Sequence, residues 1–82
     1  MMNVMKCVAI DDEPMALSVI SCFCERKGGL ELTMFTDPEK ALEQMAGMSP
    51  DLVFLDIEMG NLSGIEVAKR LPTDCAVIFT TA

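Results

Sequence analysis

Three carboxylates stand where two buried-strand runs end: Val8-Ala9-Ile10-Asp11-Asp12-Glu13-Pro14 and Asp51-Leu52-Val53-Phe54-Leu55-Asp56-Ile57-Glu58-Met59. Apolar runs of this length suit parallel strands covered on both faces. In open α/β sheets ligands bind beyond the carboxyl ends of the strands, so Asp11, Asp12 and Asp56 fall at that rim. Two unit charges about 5 Å apart repel by roughly 3 kcal/mol at an effective dielectric of about 20. Three neighbouring carboxylates therefore need a proton or a cation between them. The chain has no His, no C-x-x-C pair and no carbonyl-rich calcium loop, so Mg2+ is the best match. That ion takes a couple of carboxylates, several waters and a phosphate oxygen. Such a site suits phosphoryl transfer, and a carboxylate beside the ion can itself accept the phosphoryl group.

Taken singly, each acid has a plainer reading. Asp11 and Asp12 would cap the helix that starts near Pro14, and Asp56 would only end a strand. Their recurrence after two strands expected to be neighbours favours a shared site. Thr81 follows the fourth apolar run and joins the same rim, although a Thr there also fits β propensity alone. The other acids read as structural: Asp37 as a helix cap, Glu39 and Glu43 as a solvated helix face, Glu66 as a capping residue. Met15, Met34, Met45, Met48 and Met59 read as core or loop filling. Gly60 and Gly64 read as backbone accommodations at a turn and a helix start.

The elements that must position these groups follow from periodicity and punctuation. Val4 to Ile10 reads as a strand. Pro14 opens a helix carrying Leu17, Ile20 and Cys24 at helical spacing, with Phe23 beside them, and Gly28-Gly29 stops it. Leu30 to Phe35 alternates as a second strand. Asp37-Pro38 starts a second helix that runs to Gly47 through Leu42 and Met45. After Pro50, Leu52 to Asp56 forms a third strand. Ser63-Gly64-Ile65-Glu66 has capping-box spacing and opens a third helix, which ends near Leu71 before Pro72. Ala76 to Thr80 is the fourth strand. The order β-α-β-α-β-α-β predicts right-handed crossovers and a parallel sheet.

Eighty-two residues fit one small domain with a thin core. Six Lys and Arg against thirteen Asp and Glu give a net charge of −7, which disfavours nucleic-acid contact and an anionic membrane face. The 51% hydrophobic content excludes general disorder. No apolar stretch is long enough to span a bilayer and no leader pattern precedes the first strand, so a cytoplasmic protein is expected. Cys7, Cys22, Cys24 and Cys75 then need no pairing and read as buried small hydrophobes. Three helices must divide two to one over the sheet, leaving one face thinly covered and the fourth strand as an edge. We therefore expect further chain or a partner to cover that face. An isolated monomer is expected to be unstable, and a homodimer through the uncovered face is one outcome.

Together, Cys7 to Pro14, Phe54 to Met59, Ser63 to Glu66 and Val77 to Ala82 closely resemble the receiver domain of two-component response regulators. The resemblance implies a flavodoxin-like, CheY-like α/β sheet of strand order 2-1-3-4. Residues 1–82 would form a partial receiver lacking the family's last helix, strand and helix. It implies that Asp56 is the phospho-acceptor for a sensor histidine kinase. Asp12 is the expected direct Mg2+ ligand, Asp11 acts through water, and the backbone carbonyl of Glu58 is the third protein ligand. Thr81 matches the hydroxyl that turns toward the phosphoryl group, whereas Thr80 has no such role. The segments D-D-E-P, D-I-E-M and F-T-T-A are similar to receivers that precede LytTR-type DNA-binding domains.

Two departures accompany this match. Gly60 stands where receivers of this type usually have Pro. Lys6, Lys27, Lys40 and Lys69 all lie in elements other than the fifth strand, which carries the family's phosphate-pairing Lys. The leading expectation is a signalling module and not an enzyme in the ordinary sense. Two rivals remain: an Asp-nucleophile phosphatase fragment with Glu58 as general acid, and an interaction module that associates without phosphorylation.

Overall fold

Val8, Ile10, Val53 and Leu55 are sealed inside one face of a four-stranded parallel sheet, and their alternation dictates what lies opposite. The computed structural model describes residues 4–60, 62–72 and 74–80. Its strands are β1 (Met5–Ile10), β2 (Leu30–Phe35), β3 (Leu52–Asp56) and β4 (Ala76–Thr80). Its helices are α1 (Pro14–Lys27), α2 (Pro38–Met45) and α3 (Gly64–Lys69). The sheet order is β2-β1-β3-β4, all parallel, as the family resemblance implied.

The helices divide two to one. Ala41 and Met45 of α2, with Val67 of α3, pack on the Val8, Ile10, Val53 and Leu55 face. On the other face α1 alone supplies Leu17 and Cys24, which meet Cys7, Ala9 and Phe54. Burying each large aliphatic side chain contributes about 1.5–3 kcal/mol. Phe23, half out in solvent, still meets Phe54 edge-on, with ring centroids 6.5 Å apart. The thinly covered face shows in Ile78, which is 47% exposed on the edge strand β4.

Local signals act as expected at most ends. The Asp37 carboxylate accepts from the Glu39 N–H at 2.9 Å and the Lys40 N–H at 3.4 Å, holding the first turn of α2. Ser63 Oγ accepts from the Glu66 N–H at 3.2 Å. The Glu66 carboxylate does not complete the capping box; it lies 3.7 Å from Lys69 Nζ, drawn to a charge on its own helix. Glu39 is likewise more than a solvated side chain, since Arg70 binds it through both nitrogens at 3.1 and 3.4 Å.

Several expectations need correction. Met15 is 81% exposed and Met34 46% exposed, so neither fills the core; of the five, Met45 and Met59 are buried, with Met48 packed at the margin. Cys22 is exposed, because two residues of helix turn it away from the face that buries Cys24. The first strand starts at Met5, α2 stops at Met45, and α3 stops at Lys69 with Arg70 as its cap.

Candidate functional site

Ladder register creates the site. Ile10 pairs with Leu55 across β1 and β3, so Asp11 and Asp56 are the next residues out on neighbouring strands. Asp56 follows Phe54 at a spacing of two, which places its side chain on the α1 face of the sheet. One carboxylate oxygen each from Asp11, Asp12 and Asp56 lies within 4.8 Å of the others. An open depression surrounds them, walled by Ala16, Val19 and Ile20 of α1, by Glu58, and by Thr80 at the end of β4.

The three acids differ in setting. Asp11 is buried, 5% exposed, while Asp12 is exposed and Asp56 half-buried. Asp11 Oδ1 accepts from the Glu13 N–H at 2.9 Å, an Asx turn that holds the carboxylate at the rim. Neither Asp11 nor Asp12 caps α1: its N-cap is Glu13, with no side-chain hydrogen bond to the first turn. Burial pushes the Asp11 carboxyl above its ordinary range. The Glu13 hydrogen bond opposes that rise, and the nearby charges of Asp56 and Asp12 add to it.

The segment after Asp56 is tied on several sides. Asp56 Oδ1 accepts from the Glu58 N–H at 3.3 Å. The Ile57 N–H donates to Thr80 O at 3.4 Å, and Ile57 O accepts from the Gly64 N–H at 2.7 Å. Met59 is buried in the core, and Gly60 turns the chain with φ at 55°, a conformation that favours glycine. Leu62 N–H then donates to Met59 O at 3.2 Å.

The fold thus brings Asp11, Asp12, Asp56 and Glu58 to one place. Thr81 lies outside the described residues; its neighbour Thr80 lines the depression. The α1 wall was not anticipated, although Ala16, Val19 and Ile20 recur at helical spacing just after the acids. Gly64 was expected only to ease a helix start, and it proves to be packed against the backbone of Asp56 and Ile57.

The donor set is all oxygen, with no nitrogen or sulfur ligand in the cluster, which fits a hard divalent ion such as Mg2+. Among the described residues, no helix is long and apolar enough to cross a membrane.

Comparison with known proteins converges on one family. The family model for the response regulator receiver domain matches residues 7–82. The sensory transduction protein LytT of Bacillus cereus is 34% identical over 82 residues, covering 95% of this chain and 33% of that protein. The heme response regulator HssR of Staphylococcus saprophyticus is 33% identical over 78 residues, covering 93% and 34%. The chain therefore spans about a third of the length of the curated relatives it matches. Among solved structures, the response regulator TrrA from Thermotoga maritima, in complex with Mg2+-BeF, is 32% identical with a TM-score of 0.87. That match covers 96% of this chain and 70% of TrrA. The response regulator domain of Thermotoga maritima CheB is 27% identical with a TM-score of 0.84, covering 96% of this chain and 61% of that one. With a family model spanning nearly all its residues and the receiver sheet order, the chain belongs to the response regulator receiver domain family.

Proposed function

We propose that this chain is a phosphoryl-accepting signalling module in which Asp56 is the acceptor and a sensor histidine kinase the donor. The observation that carries the reading is the convergence of Asp11, Asp12 and Asp56 within 4.8 Å at the sheet rim. A carboxylate oxygen of Asp56 attacks the phosphorus of a phosphohistidine. The new O–P bond gives an aspartyl phosphate, the P–N bond breaks, and its electron pair stays with the imidazole nitrogen. Asp12, Asp56 and the Glu58 carbonyl would hold Mg2+, with Asp11 acting through water. When bound, the ion neutralises charge on the transferring group. The solved TrrA complex with Mg2+-BeF supports this reading by likeness.

The chain's own residues do the rest. The Glu58 N–H fixes one Asp56 oxygen, and the Asx turn to Glu13 fixes Asp11. Ala16, Val19 and Ile20 of α1 give the depression one apolar side. The Thr81 hydroxyl reports the modified state as a shift between two conformers. We read the module as participating in its own phosphorylation and not as a turnover enzyme. We further read it as controlling an attached transcription-regulating domain in a cytoplasmic setting.

Intact-mass measurement tests this. The full chain incubated with Mg2+ and acetyl phosphate should gain one phosphate, and Asp56→Asn should gain none. An adduct that survives the substitution rejects Asp56. Steady turnover of a phosphomonoester would point to a phosphatase, and self-association without phosphate uptake to an interaction module.

A further inference from the structure

We infer that Gly64 is a positioning residue for Asp56: its missing side chain lets the start of α3 close directly on the acceptor's own peptide. This rests on the reading of Asp56 given above. A Cβ at Gly64 would overlap the carbonyl oxygen of Asp56, and would sit 2.8 Å from both the Asp56 carbonyl carbon and Ile57 Cα. All three atoms are backbone, so no rotamer change can relieve the overlap. Gly64 is not among the positive-φ glycines, so the requirement here is space and not an unusual backbone angle.

The consequence of a side chain at Gly64 depends on which partner yields. α3 is pinned by Val67, which has no exposure, and Leu71 just beyond the helix joins the same core. The Asp56–Ile57 peptide is held more weakly, through its N–H by the long 3.4 Å bond to Thr80 O, while the 2.7 Å bond from the Gly64 N–H goes to the next carbonyl, that of Ile57. The Asp56–Ile57 peptide is therefore the softer side. Displacing it carries the Asp56 carboxylate away from Asp11 and Asp12. Gly47 supplies a matched control, since a Cβ there meets nothing within 4 Å and its φ is ordinary.

The test compares the full wild-type chain with Gly64→Ala and Gly47→Ala. Intact-mass time courses follow acetyl phosphate labelling at saturating Mg2+, and melting curves across a Mg2+ titration give the cation affinity. Rates are expressed per folded molecule, measured by circular dichroism. Gly64→Ala should label about 10-fold or more slowly and bind Mg2+ more weakly, because small displacements of reacting groups cost rates of that order. Gly47→Ala should stay within about twofold of wild type on both readouts. A wild-type rate per folded Gly64→Ala molecule would overturn the inference. If Gly64→Ala unfolds, trimethylamine N-oxide is added to refold it. A defect that persists then supports positioning, and full recovery of the rate refutes it. If the wild type itself takes no phosphate, the acceptor reading fails, and the Mg2+ titration decides for Gly64: a weakened affinity supports it and an unchanged one overturns it.

Discussion

Asp11 and Asp56 leave adjacent parallel strands at one level, each a single residue beyond the paired Ile10 and Leu55. The ladder therefore imposes their proximity, and neither side chain has freedom to avoid the other. Two acids so placed make the protein sensitive to protons and cations at one point.

Replacing the buried acid isolates that sensitivity. Burial chiefly raises the Asp11 carboxyl above its ordinary range, with Asp56 and Asp12 adding to the rise. A carboxyl raised in the folded state costs stability as pH climbs from its unfolded value to its folded one, and the cost is constant above that. Asparagine keeps an oxygen for the Glu13 N–H and drops the charge. Without divalent ions, Asp11→Asn should melt a few degrees above wild type at pH 7, by calorimetry. The gap should close below about pH 4, where both chains are neutral at this position.

Cation binding should act in the opposite direction on the native acids. Mg2+ at about 100 times its dissociation constant stabilises a folded protein by about 2.7 kcal/mol. Melting temperature should rise with Mg2+ and return on adding a chelator. Asp12→Ala, removing an exposed member of the cluster, should abolish most of the rise while leaving the cation-free melt close to wild type or slightly higher.

The core residue beneath the site carries a different penalty. Leu55 has no exposure and packs among Val8, Ile10, Val53 and Val67. Leu55→Ala should cost about 2–5 kcal/mol in urea denaturation. Small domains hold only about 5–15 kcal/mol in all, so labelling of Asp56 should fall with the folded fraction.

Arg70 provides a contrast. Its bidentate pair with Glu39 joins the end of α3 to α2, but both side chains are at least half exposed. Arg70→Ala should change stability by less than about 1 kcal/mol, and high salt should shrink even that. Phosphate uptake should be unaltered, because the pair lies apart from the acidic depression.

The succession of elements and the acidic rim were legible because both follow from short-range pattern, whereas the sheet order 2-1-3-4 came from the family resemblance. Val8 to Asp11 and Leu52 to Asp56 announce buried strands by composition and their ends by charge. Helix starts at Pro14, Pro38 and Gly64 were equally plain, since each has a proline or a Ser cap. Exposure of Met15 and Cys22 was not legible, because α1 is apolar on more than the face it buries and periodicity cannot then choose a side. The contact of Gly64 with Asp56 depends on where a helix start lands on a distant strand end, and residue identity alone cannot specify it.

The backbone of Ile57 bridges three parts of the molecule: its N–H reaches the last residue of β4, its carbonyl meets the first residue of α3, and it directly succeeds Asp56. It works as a crossbar. Any torque applied at the acceptor reaches the sheet edge and the helix together, so a chemical event there has two exits onto the surface. Severing either attachment would leave the other to carry the whole displacement.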